Sequence, residues 1–161
     1  MATGRERLLW NRYNALLTTV PGMIDERMRS VTGVSRFQFT LLETIREHPD
    51  ESVQLAAVAR ATDSSLSRLS HAIDRLVQLG LVERQPCDDD RRASWAVLTP
   101  EGRRVVDEGR DAFERLMHEV LISRIPEEYH DTVITVLTSL LPPDVAVACE
   151  VLDSAPVTGS A

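Results

Sequence analysis

The sequence predicts a mainly α-helical fold of about six helices, with one β-hairpin inserted after the fourth. Three observations carry that expectation. Apolar residues recur at helical spacing through most of the chain. Two short strand-like runs, Leu81–Gln85 and Ser94–Leu98, flank a polar loop. Capping residues, prolines and glycines fall where helices should start and stop. With 161 residues, 43% hydrophobic and 27% charged, the composition is that of one globular domain of ordinary size.

In chain order, Leu9, Tyr13, Leu16 and Val20 form one apolar stripe on a first helix over residues 5 to 20. Pro21-Gly22 should kink or break it before a second piece, Met23 to Arg29. Ser35 can cap the next helix, with Phe37, Leu41, Leu42 and Ile45 inward and His48-Pro49-Asp50 as its end. A short helix is expected from Gln54 to Arg60, then a tight turn, Ala61-Thr62-Asp63. Asp63 would cap a longer helix to Leu79, ended by Gly80 in the left-handed region. After the hairpin, Thr99-Pro100-Glu101 combines an N-cap, a first-position proline and an acid at the positive end of the dipole. That helix runs on through Val105, Val106, Phe113, Leu116, Met117 and Val120. Ile125-Pro126 restarts the chain into a last helix with Val133, Ile134, Val136, Leu137, Leu140 and Leu141 apolar, and Pro142-Pro143 stops it.

Charge narrows the choice of partner. All 18 basic side chains are arginine, and the formal net charge is −7, which disfavours a polyanion bound over the whole surface. Between Arg60 and Arg104, however, eight arginines face seven acids, so the middle third alone is slightly positive. A short helix, a three-residue turn, a longer helix and a hairpin is the layout of a winged helix-turn-helix. On the longer helix, Leu66, Leu69, Ile73, Leu76 and Val77 gather on one side. Ser64, Ser65, Ser67, Arg68, His71 and Arg75 are the candidates for the outer side, which is expected to have no acid near its centre. Short hydroxyl side chains let such a helix approach base edges, while Arg68 can pair with guanine or with phosphate. At the hairpin tip, Arg91 and Arg92 can enter a minor groove, with Asp90 bracing one of them. Each feature has a plainer reading as an ordinary solvated surface, and Asp88-Asp89-Asp90 would repel phosphate unless turned away.

Leu79-Gly80-Leu81-Val82-Glu83-Arg84, then Asp90-Arg91-Arg92, then Leu98-Thr99-Pro100-Glu101-Gly102-Arg103 together resemble the multiple-antibiotic-resistance regulator (MarR) family. Ser64 to Leu76 is similar to its recognition helix, and Ser35 to Leu42 to the helix before it. The resemblance covers roughly residues 8 to 141. It implies a homodimeric regulator of transcription that binds pseudo-palindromic double-stranded DNA, commonly as a repressor released by a small aromatic or phenolic ligand. It also implies an organisation. Residues 1–34 and 101–153 would form the dimer base, and 35–100 the DNA-binding winged domain. Residues 154–161, small and polar, read as a disordered tail. Oxidant sensing through a first-helix cysteine is not carried over, because the two cysteines are Cys87 and Cys149.

Two apolar helical ends independently call for a second surface: Leu9, Trp10, Leu16 and Leu17 at one, Val133, Leu137 and Leu140 at the other. Intrachain packing of a monomer is the alternative. Trp10, Tyr13, Phe37 and Phe113 are the candidate ligand-contacting aromatics, with core packing as their other role. No nucleophile elbow or glycine-rich phosphate loop is present, the four histidines lack ligand spacing, and Glu114 with His118 makes only a weak case for a divalent ion. No enzyme, cofactor or metal is therefore expected. The apolar runs are too short for a membrane span and the N-terminus lacks a secretory pattern, so a cytoplasmic protein is expected. A winged module that binds protein in place of DNA is the rival function.

Overall fold

A computed structural model describes residues 2–48, 50–54, 66–86, 94–143 and 145. The chain divides into two compact units, Met1–Val120 and Leu121–Ala161. The first holds α1 (Gly4–Thr32), α2 (Arg36–Glu47), β1 (Ser52–Gln54), α3 (Leu66–Gln78), β2 (Val82–Pro86), β3 (Ser94–Leu98) and α4 (Pro100–Val120). The second holds two 3-10 turns, Ile122–Arg124 and Glu127–Tyr129, and α5 (His130–Leu140). Five α-helices and one antiparallel sheet are thus present among the described residues, a mainly helical winged fold as the sequence predicts.

Local chemistry sets most boundaries. Thr3 and Glu6 close a capping box at the start of α1, and Ser35 with Gln38 closes another at the start of α2. Gly33 (φ 75°) and Gly80 (φ 71°) take left-handed backbone after α1 and α3, where a Cβ would be strained. Thr99 caps α4, its Oγ1 accepting from Gly102 N–H at 3.0 Å while donating to the Gly80 carbonyl at 2.8 Å. That pair of bonds fixes the start of α4 against the end of α3.

Four expectations are corrected. Pro21 neither breaks nor splits the first helix, which runs unbroken for 29 residues. The acceptor that Pro21 leaves without its helical donor is the carbonyl of exposed Leu17, which water can reach, and Ile24 and Met28 beyond it pack onto the core. Gln54 does not open a helix but ends β1, a third strand that the hairpin reading lacks. The rest of the helix expected to Arg60, with its turn, lies outside the described residues. The sheet order is β1-β3-β2, with Val53 opposite Ala96 and Val82 opposite Leu98. Val77 is 36% exposed and not part of the buried side of α3. The fourth correction, the acid on the outer side of α3, belongs with the site.

The core of the first unit is one apolar cluster. Phe39, Leu42 and Ile45 of α2 meet Leu69, Ile73 and Leu76 of α3, Val82 and Ala96 of the sheet, and Val106 of α4. Phe39, fully buried, is a central residue that the sequence reading passes over in favour of Phe37, which is only partly buried. Glu51, at φ 47°, joins three elements: its carboxylate pairs with Arg46 of α2 and Arg103 of α4, and its carbonyl accepts from Leu98 N–H of β3 at 3.0 Å. In the second unit no residue of α5 is buried, and Ile134 is 61% exposed. His130 Nε2 bonds the Ile125 carbonyl at 3.0 Å and so ties the start of α5 to the turn before it.

Candidate nucleic-acid interface and adjoining cleft

Helix α3 is built to show one side. Leu69, Ile73 and Leu76 fix the inward direction, which leaves Ser67, His71, Arg75 and Gln78 exposed. Asp74 shares this exposed surface, which corrects the expectation of an acid-free face: at 100° per residue it lies only about 20° from Ser67 around the helix. Its charge is met by Arg84 of β2, whose Nη2 stands 2.8 Å from Asp74 Oδ1. The same nitrogen donates to Ser70 Oγ at 3.0 Å and to the Ser70 carbonyl at 3.3 Å. Arg84 therefore does two things. It neutralises the acid on the face, and it fastens α3 to the strand that leads to the hairpin tip. Arg75 Nη1 donates to Gln78 Oε1 at 3.2 Å, along the helix.

Of the residues expected to touch DNA, Ser67, Arg68, His71 and Arg75 are thus on one helix of the winged unit. Ser64, Ser65, Asp90, Arg91 and Arg92 lie outside the described residues. Arg68 is on the flank of α3 and turns toward α2, its guanidinium carbon 4.5 Å from the centre of the Phe37 ring. It lines a cleft of about 590 Å³ between α1, α2, α3 and α4, together with Val20, Pro21, Ile24, Asp25, Arg29, Arg36, Phe37 and Phe113.

The cleft is aromatic and cationic. Arg36 lies over Phe113 at 3.8 Å and is held there from its own helix, donating to Thr40 Oγ1 at 2.7 Å and to Glu43 at 3.3 Å. Asp25 accepts from the backbone N–H of Arg36 at 2.8 Å and from Arg29 Nε at 3.0 Å. Behind them, burial pushes the Glu43 carboxyl up, an effect that Arg36 and Arg110 oppose. Three arginines against one aspartate leave the wall net positive. Of the four candidate aromatics, Phe37 and Phe113 come together here. Trp10 and Tyr13 do not; they pair with each other on the first half of α1, ring centres 6.0 Å apart, with Trp10 61% exposed. Sequence reasoning did not select Arg36, although its place between the capping Ser35 and Phe37 was a usable sign. Among the described residues no three metal-type side chains converge, and no helix is long and apolar enough to cross a membrane.

A three-stranded wing packed beside an exposed serine- and arginine-bearing helix defines a winged-helix protein. The model of the MarR family matches residues 32–93 of the chain. Solved structures agree over most of the length. A MarR-family transcriptional regulator from Streptomyces coelicolor, Sco3205, determined in complex with DNA, is 26% identical over 89% of this chain and 92% of its own, with a TM-score of 0.74. AbsC from the same organism shares the fold at 23% identity, 93% and 98% coverage and a TM-score of 0.75. A mutant MarR from E. coli, complexed with operator DNA, does so at 23% identity, 80% and 93% coverage and a TM-score of 0.65.

Proposed function

We propose that the chain is a dimeric, sequence-specific DNA-binding regulator of transcription, acting as a repressor that a small aromatic ligand relieves. One observation carries the DNA reading. The exposed side of α3 presents Ser67, His71 and Arg75, with Arg68 at its flank, and the one acid among them is covered by Arg84. Ser67 and His71 read base edges in the major groove, and Arg68 a guanine or a phosphate. Ser64 and Ser65 take the phosphate at the helix start, and Arg91 and Arg92, braced by Asp90, the minor groove. The solved complexes of Sco3205 and of E. coli MarR with DNA support this reading.

The dimer follows from surfaces that one copy leaves open. Leu8, Leu9, Trp10, Leu16 and Leu17 of α1 are exposed, as are Ile134, Val136, Leu137 and Leu140 of α5. A second copy covers both, with residues 1–34 and 101–153 as the base and 35–100 as the DNA-binding part. Two-fold symmetry then sets the two α3 helices about 34 Å apart, or a multiple, on a pseudo-palindromic operator. The ligand takes the cleft, its ring against Phe37 and Phe113. Trp10 and Tyr13 serve the dimer surface.

The test is a binding titration on duplex DNA from beside its own gene, against a random duplex, over a series of salt concentrations. Specific binding that weakens as salt rises is expected, because phosphate neutralisation releases counterions. Arg68→Ala should cost about 1–3 kcal/mol and relax sequence preference if Arg68 reads a base. A chain that stays monomeric at micromolar concentration and ignores every duplex at low salt refutes the proposal. That result would favour the protein-binding module, which the net charge of −7 and Asp88-Asp89-Asp90 would suit.

A further inference from the structure

We propose that Asp25 is a positioning residue for the DNA-reading part: its carboxylate spans the corner between α1 and α2 and sets the direction in which α2, with α3 packed on it, leaves α1. The inference rests on the reading of α3 as the DNA surface and of α1 as part of a dimer base, and adds what fixes one against the other.

The corner itself is short. Three residues, Gly33 to Ser35, separate the end of α1 from the start of α2. Gly33 N–H bonds back to the Arg29 carbonyl at 3.0 Å, and Thr32 Oγ1 donates to the Met28 carbonyl at 2.7 Å. These two bonds close α1, and the Ser35–Gln38 capping box belongs to α2, so none of them directs one helix against the other. Asp25 does. Its Oδ1 accepts from the Arg36 N–H at 2.8 Å, one of the first-turn donors that a helix leaves without an internal partner. Arg29 Nε donates to its Oδ2 at 3.0 Å and aims the carboxylate from its own helix. The negative charge also stands at the positive end of the α2 dipole. Asp25 lies two turns before the last residue of α1, about 10 Å back along the axis, so its bond acts on the angle of the corner with a long lever.

The residue that Asp25 holds is fixed on its other side as well, because the Arg36 guanidinium lies over the Phe113 ring of α4 at 3.8 Å. Ile24 and Met28 keep α1 on the core, but apolar contact is not directional, whereas a hydrogen bond is. Phe39, Leu42 and Ile45 of α2 share one buried cluster with Leu69, Ile73 and Leu76, so α3 follows α2. In a two-fold dimer the direction of α2 therefore sets the spacing of the two α3 helices along the duplex.

The test compares the duplex from beside the gene with the same duplex carrying one extra base pair at its centre. The insertion moves the half-sites apart by about 3.4 Å and turns them by about 35°. The wild type should prefer the first. Asp25→Ala frees the corner and should lower that preference about 10-fold, the size of one hydrogen bond to a charged group. The preference is a ratio of two affinities, so a smaller folded fraction cancels from it. Asp25→Asn keeps an acceptor for the Arg36 N–H and should retain the wild-type preference. Arg29→Ala, which leaves the carboxylate without its guide, should lower it in the same direction by less. A second readout needs no DNA: hydrogen exchange of the Arg36 amide should quicken in Asp25→Ala and stay slow in Asp25→Asn. A wild type indifferent to the extra base pair, an unchanged preference in Asp25→Ala, an asparagine variant as impaired as the alanine one, or Arg36 exchange that ignores residue 25 each overturns the inference while leaving the DNA reading intact. Failure of the wild type to bind any duplex removes the DNA reading and the inference with it.

Discussion

Gly109 of α4 lies against the Phe39 ring with no space for a side chain, and Gly109→Ala measures that packing. A Cβ built there meets the Phe39 ring, with Cζ at 2.7 Å, and Thr32 Cγ2 at 3.0 Å. Carbon atoms rest at about 3.5–4.0 Å, and the ring's Cε2 lies nearer still than its Cζ, so the ring would have to retreat by more than about 1 Å. It has little room to do so, being fully buried among Leu42, Ile45 and Val106, with α1 closing the other side. Overpacking of this kind costs about 3 kcal/mol at the upper end, against which alanine returns about 1 kcal/mol of helix propensity. The net loss of about 2 kcal/mol corresponds to a fall in Tm of roughly 4–8 °C for a chain of this size. Calorimetry or circular dichroism reads it directly. Phe39→Leu should relieve the clash, so the double variant should be more stable than the sum of the two single losses predicts, by about 2 kcal/mol. A Gly109→Ala protein that melts at or above the wild-type temperature, or strict additivity with Phe39→Leu, would show that α2 and α4 are not in contact as described.

Three further outcomes are expected. The Glu51 carboxyl is held below its ordinary value of 4.5, first by the hydrogen bond from Arg103 and then by that from Arg46, against an opposing effect of burial. Its contribution is therefore present above pH 4.5 and lost as pH falls through the lower folded value, so Glu51→Gln should flatten the acid limb of a stability–pH curve. An unchanged limb would assign the acid loss elsewhere. Arg84→Ala leaves Asp74 uncompensated on the face of α3, so DNA affinity should fall more at low salt than at high salt, with stability reduced by about 1 kcal/mol. An equal loss at all salt concentrations would show that the exposed charge of Asp74 is not what weakens binding. Pro21→Ala restores a donor to the Leu17 carbonyl and should raise the stability read by urea denaturation by about 1–3 kcal/mol; no gain would place the compensation for Pro21 already within α1.

What the sequence made legible and what it did not divide along a physical line. The caps at Ser35, Gly80 and Thr99 depend on one side chain and the few peptide groups beside it, and each stands where residue order predicts. Pro21 follows a local rule as well, but the rule gives a cost, and packing of the residues beyond it outweighs that cost. β1 is three residues long, and its partner β3 is some forty residues away in the chain, so no local periodicity could announce it. The cleft was legible only as a choice of aromatic residues. That choice could not separate Phe37 and Phe113, which α2 and α4 bring to one wall, from Trp10 and Tyr13, which α1 keeps apart from it.

The overall charge of −7 is a poor guide to what this surface tolerates, and the ion pairs explain why. In the winged part, Asp74 is engaged by Arg84, Glu51 by Arg46 and Arg103, and Glu101 by Arg104, so these acids act at short range on named partners. Coulomb attraction between exposed charges fades over about 10 Å in ordinary salt, which confines the excess of acids elsewhere in the chain to its own neighbourhood. What a duplex meets at α3 is therefore set by a few arginines and by how each is held. Arg84 is fastened to Asp74 and Ser70 and keeps the acid quiet, while Arg68 is turned onto Phe37. The DNA surface proposed on α3 is therefore governed by these local contacts and not by the net charge.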